Sequence, residues 1–139
     1  MQVIKDDEYV KITYDEETKV LGTKWKPTSF EDDLSDEYVR EVITEIADGL
    51  ASTQADYYLA DQTNRGVVYE ENMQKWVFSM LLSGGQRANL KKCAVVQSVD
   101  FFVGMSNEQL LKGAVTDIAY KCFNTRREAI EWLGVKDYE

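Results

Sequence analysis

Apolar and polar positions alternate along Tyr9-Val10-Lys11-Ile12-Thr13-Tyr14 and, less cleanly, along Val20-Leu21-Gly22-Thr23-Lys24-Trp25. A two-residue period is that of a strand with one buried face, and the polar run 15–19 between the segments predicts a β-hairpin. Pro27 has no N–H to give a ladder, which ends the second strand near Lys26. The period then lengthens. Phe30, Leu34, Tyr38, Val42, Ile46 and Leu50 recur every four residues, with Val39, Ile43 and Ala47 beside them, which is one wide apolar stripe on a long helix. Thr28 or Ser29 is placed to cap it, with Glu31 and Asp32 near its positive end. Ser35 offers a second cap and a break near Leu34.

Residues 55–60 read as the next strand. Met73, Trp76, Val77, Met80 and Leu81 then define a second amphipathic helix, expected to stop at Gly84-Gly85. Cys93-Ala94-Val95-Val96 is a continuous apolar run, as in a strand covered on both faces. Ser106-Asn107-Glu108-Gln109 matches a capping box before a third helix carrying Leu110, Leu111, Ala114, Val115 and Ile118. Residues 120–123 make a last strand. Thr125-Arg126-Arg127-Glu128 is a second capping box, opening a final helix with Ala129, Ile130, Trp132 and Leu133 and closed by Gly134. The predicted order is β-β-α-β-α-β-α-β-α, an α/β fold with a mixed, mostly parallel sheet, an N-terminal hairpin and about four helices. Crossovers wound one way would stack the helices mainly on one face of the sheet.

The 139 residues suit one domain, with no linker-like or repeated stretch. A hydrophobic fraction of 44% is that of a folded chain. The net charge of −9 argues against nucleic acid, whose phosphates need clustered Lys and Arg, and against docking on anionic lipid. No apolar run approaches the roughly 20 residues that span a bilayer, and the first residues lack a signal-peptide pattern, so a cytoplasmic protein without membrane insertion is expected. Two cysteines without Cys-x-x-Cys spacing and no His make a metal centre implausible, and no cofactor is expected.

The hairpin ending in Trp25, the capped helix around Phe30 and the strand ending Leu59-Ala60-Asp61 with Arg65 four residues on form one set of features. With the terminal Thr125-Arg126-Arg127-Glu128-Ala129-Ile130-Glu131-Trp132-Leu133, they resemble the bacterial SpoIIAA-like proteins, described as STAS/SEC14-like, over about residues 9–133. The resemblance implies the STAS fold and a regulatory module. The best-known STAS domains antagonise anti-sigma factors and are switched by phosphorylation of a Ser in an Asp-Ser-Ser-Gly type motif. This chain departs from that pattern. Aligning Asp61 with the acidic strand end puts Glu70 and Glu71 near the phosphorylated position, with no Ser of that motif. The positive end of the following helix is by itself a sufficient reason for two carboxylates there.

Asp61, Thr63, Asn64 and Arg65 form the densest polar cluster at a predicted strand end. In an open α/β sheet the loops leaving the carboxyl ends of strands are where ligands and partners bind. Asp61 is expected to accept backbone hydrogen bonds that shape the loop, or to pair with Arg65. The absence of His removes the commonest general base and any Ser-His or Cys-His pair, and no carboxylate spacing picks out a catalytic couple. The expected function is therefore a non-enzymatic regulatory or protein-interaction module, monomeric or homodimeric. Its surface would be Asp61, Thr63, Asn64, Arg65, Glu70 and Glu71. The alternative is a small-molecule or lipid-binding domain, with Phe101, Phe102, Val103, Met105 and Trp76 lining an apolar pocket. Cys93 follows Lys91 and Lys92, which would favour a thiolate, but it opens an apolar strand and is expected to be inert packing, as is Cys122.

Overall fold

In the computed structural model, the structure describes residues 1–26, 35–63, 71–96 and 118–136. It is an α/β fold built on a mixed six-stranded sheet whose spatial order follows the chain: β1 (Gln2–Asp6), β2 (Val10–Asp15), β3 (Val20–Trp25), β4 (Tyr57–Asp61), β5 (Lys92–Val96) and β6 (Ala119–Phe123). β1–β2 and β2–β3 are antiparallel; β3–β4, β4–β5 and β5–β6 are parallel. Three helices are described: α1 (Asp36–Thr53), α2 (Glu71–Ala88) and α3 (Arg126–Leu133). The helix expected from Ser106, and the caps expected at Thr28 and Ser29, lie outside the described residues.

The hairpin forms as its alternation predicts, with Val10, Ile12 and Tyr14 buried on one face. Its turn is closed by Asp15, whose Oδ2 accepts from the Thr18 N–H at 3.1 Å, and by Lys19 in the left-handed region at φ 57°. The Lys19 carbonyl accepts from the N–H groups of Asp56 and Tyr57, which docks the start of β4 beside β3. The predicted hairpin is part of a three-stranded meander, because β1 precedes it and pairs with β2. The register shifts between Val3 and Lys5, so the strand carries an irregularity that erases the two-residue period by which it would have been found.

Ser35 is the cap of α1, accepting from the Tyr38 N–H at 3.1 Å. The helix ends at Gln54, in the left-handed region with its N–H on the Leu50 carbonyl. α2 does not stop at Gly84-Gly85; it runs through them to Ala88. A Cβ on Gly84 would stand 2.7 Å from Ala47 Cα and 2.8 Å from the Ala47 carbonyl oxygen. The glycine is therefore the contact that lets α2 lie against α1, and not a terminator.

Two apolar layers flank the sheet. On one face Val10, Ile12, Tyr14, Leu21, Trp25, Tyr58, Ala60 and Val95 pack under α1 and α2. On the other, Val20, Leu59, Ala94, Val96 and Phe123 pack under Ala129, Ile130 and Leu133 of α3. The helices are thus divided between the faces rather than gathered on one, because α3 folds back over β4, β5 and β6.

Candidate functional site

The parallel strands β3 to β6 all end on one side of the sheet, and the start of α3 returns to that side. Asp61 closes β4 and is 3% exposed. Its Oδ1 accepts from the Thr63 N–H at 2.9 Å and from the Thr63 hydroxyl at 2.6 Å, a local turn that bends the chain out of the strand. The Gln62 N–H donates to the Val96 carbonyl at 2.9 Å, so β4 and β5 stay joined one residue beyond the strand. Asp61 Oδ2 lies 3.9 Å from Nη1 of Arg126, whose side chain is 20% exposed.

Arg126 is held there by the α3 cap. Thr125 Oγ1 accepts from the Glu128 N–H at 3.2 Å, which is the cap bond predicted for the Thr-Arg-Arg-Glu box, and the Glu128 carboxylate reaches back to the Thr125 hydroxyl, which donates to Oε1 at 3.1 Å. Phe123 and Trp132, with ring centroids 5.6 Å apart, fix the angle between β6 and α3. Lys92 Nζ donates to the Trp132 carbonyl at 2.9 Å, below the same ring.

A second polar cluster occupies the same end of the sheet, at the β1–β2 turn. Asp7 Oδ1 accepts from the N–H groups of Tyr9 and Val10, and Oδ2 accepts from the Tyr38 hydroxyl at 2.6 Å. Lys5 Nζ lies 3.3 Å from Glu45, 3.8 Å from Asp7 and 3.9 Å from Glu41. Burial pushes the Asp7 carboxyl up, but the Tyr38 hydroxyl, the two backbone donors and the Lys5 charge outweigh it and hold it below the usual carboxylate range. Burial, followed by the hydrogen bond to Asp7 and the Asp7 charge, pushes the Tyr38 phenol well above its ordinary value.

Of the residues singled out in the sequence, Asp61 and Thr63 meet as expected. The ion-pair partner of Asp61 seen here is Arg126, 65 positions away, while Arg65, Asn64 and Glu70 lie outside the described residues. Glu71 is the first residue of α2. Trp76 is half-buried against the core under α1 and α2, with the Arg40 guanidinium 4.6 Å from its ring centroid. Phe101, Phe102, Val103 and Met105, the rest of the expected apolar pocket, lie outside the described residues. Cys93 and Cys122 are half-buried thiols on adjacent strands. Arg126 was visible only as part of a capping box. Three parallel strands in chain order, which carry the start of α3 back beside the end of β4, are the signal that would have found its second role. Among the described residues no group of three His, Cys, Asp or Glu is placed to hold a metal ion, and no helix is long and apolar enough to cross a membrane. The chain matches no family model, no curated protein and no solved structure.

Proposed function

We propose that this chain is a non-enzymatic regulatory or protein-interaction module of the SpoIIAA-like, STAS type, acting in the cytoplasm without the phosphorylatable Ser of its better-known relatives. The mixed sheet with crossover helices supports that reading at the level of architecture. The observation that carries it is the state of Asp61. One oxygen is taken by both donors of Thr63 and the other faces Arg126, so the carboxylate shapes the strand end and sets a largely buried guanidinium beside it. Such an arrangement holds a partner better than it transforms a substrate, and the 139 residues supply no His to act as a base.

The test is affinity capture with crosslinking from the native cell, using wild-type, Arg126→Ala and Arg126→Lys baits whose folding is checked by circular dichroism. The expected result is one partner crosslinked within reach of Thr63 and Arg126, lost with Arg126→Ala and restored in part with Arg126→Lys. Recovery of no partner, or of the same partner in equal yield with a folded Arg126→Ala bait, would overturn the reading.

A further inference from the structure

β1 is an edge of the sheet: among the described residues it pairs with β2 and has no strand on its other side. An edge strand turns half of its backbone N–H and C=O groups outward, where another extended chain can take them. Solvent reaches this edge, since Gln2, Val3 and Asp6 are all exposed. Among the described residues the large apolar side chains that stand well out of the protein are Met1 at 60% and Val3 at 53%. Both lie at this edge. Their placement together on an open backbone edge, rather than scattered, marks a contact surface.

The two faces of the edge differ. Val3 is in register with Thr13, and Asp6 with Lys11, so these side chains point away from α1 and α2, whose side is taken by Val10, Ile12 and Tyr14. Ile4 and Lys5 turn toward α1 across the register shift between Val3 and Lys5. Ile4 lies 3.4 Å from where a Gly49 Cβ would stand, and Lys5 Nζ is 3.3 Å from Glu45 and 3.9 Å from Glu41. Glu41, Glu45 and Gly49 recur every four residues, so they form one line of α1, and that line runs along β1. With Asp7 at 3.8 Å, three carboxylates share the Lys5 ammonium, and the α1 side of the edge keeps a negative excess.

We propose that the β1 edge binds an extended segment of another protein in which Lys or Arg alternates with apolar residues, added to the sheet as a further strand. The two-residue period of a strand sets its basic side chains toward Glu41 and Glu45 and its apolar ones beside Val3. A strand about 4.8 Å beyond β1 keeps a lysine ammonium within reach of those carboxylates. Charge decides the occupant. A second copy paired edge to edge about a two-fold axis would bring two such carboxylate lines together, in a chain whose net charge is −9. The register shift also breaks the length over which two β1 strands could pair. A basic segment meets opposite charge instead. This surface is three strands away from Asp61 and does not depend on the role proposed for that residue.

The experiment is an amide-resolved NMR titration of the full chain at pH 7 and low salt. The probes are capped peptides: Lys-Val-Lys-Val-Lys-Val, its permutation Lys-Lys-Lys-Val-Val-Val, and Glu-Val-Glu-Val-Glu-Val. The alternating basic peptide is expected to give saturable shifts centred on residues 2–6 and to slow exchange of the β1 amide protons. Glu41→Gln should weaken its binding about two- to fivefold, the usual weight of one exposed ion pair. Val3→Lys should weaken it further, because it sets a like charge at the edge. Both substitutions change exposed side chains, and either alone suffices if the other fails to fold. Absence of saturable shifts, shifts centred away from β1, equal binding of the permuted or the glutamate peptide, or undiminished binding by a folded variant would each overturn the proposal. So would a dimer of the unliganded protein with protected β1 amides, which gives the edge to a second copy.

Discussion

At the residue scale, Cys93 shows how position overrides neighbouring charge. Lys91 and Lys92 precede it, but Lys91 pairs with Asp56 and Lys92 is drawn to the Trp132 carbonyl and ring. Burial, with Cys122 nearby, instead pushes the Cys93 thiol up to about 12. Cys93 is in register with Tyr120, two residues before Cys122, on the adjacent parallel strand. A strand spacing of about 4.8 Å and a two-residue step of about 6.6 Å put the two Cα atoms roughly 8 Å apart, beyond disulfide reach. Both thiols should remain reduced under air, and at pH 8 native Cys93 should react with a thiol reagent more than about tenfold more slowly than in urea. A fast native reaction, or a disulfide seen by mass spectrometry, would count against this. The packing of Cys93 into the sheet was legible because an apolar run encodes a covered strand. The pairing of Asp61 with Arg126 was not, because only the assembled sheet brings position 126 beside position 61.

At the element scale, motifs that close on themselves were readable and contacts between elements were not. The Thr-Arg-Arg-Glu box contains its own partners, so α3 begins where it was expected. Thr125→Ala should cost about 1 kcal/mol in urea unfolding, the usual value of a lost cap. Gly84-Gly85 reads locally as a stop, yet the structure uses Gly84 for helix contact. Replacing it by Ala sets two effects against each other. Helix propensity favours Ala by about 1 kcal/mol, while a Cβ 2.7 Å from Ala47 Cα forces α2 off α1 at a cost of about 1–3 kcal/mol. The obstacle is backbone and cannot rotate away, so Gly84→Ala should lower Tm by several degrees. Gly85→Ala meets the movable end of Ile118 at 2.9 Å and should cost less. If the two variants melt alike, or Gly84→Ala melts higher, the helix contact is not what fixes Gly84. β1 escaped detection for the complementary reason: its irregular register removes the pattern, while its pairing with β2 supplies the stability.

At the scale of the whole molecule, the Asp7–Tyr38 hydrogen bond ties the first turn of the sheet to the first turn of α1, so its titration bears on global stability. Asp7 has a folded pKa below its ordinary value. Its contribution is therefore present above the unfolded carboxylate range, near 4, and is lost as pH falls through the folded value. Tyr38 has a raised folded pKa, and its contribution is complete below the unfolded phenol value, near 10. Above that the unfolded chain releases a proton that the folded one keeps, and stability falls as pH rises. The coupling should thus be flat between those limits and decline beyond both. The net charge of −9 adds general repulsion at alkaline pH, so a single variant does not isolate the pair. A double-mutant cycle of Asp7→Asn and Tyr38→Phe does, because the general term cancels. Urea unfolding at pH 7 should give a coupling of about 1 kcal/mol, modest because both groups are partly exposed. Repeated at pH 10.5, the same cycle should give a smaller value, as the unfolded phenol ionises. A coupling near zero at pH 7, or one that grows with alkalinity, would mean that the corner is held by β1–β2 pairing and the Tyr9–Tyr38 ring contact at 5.3 Å rather than by this hydrogen bond.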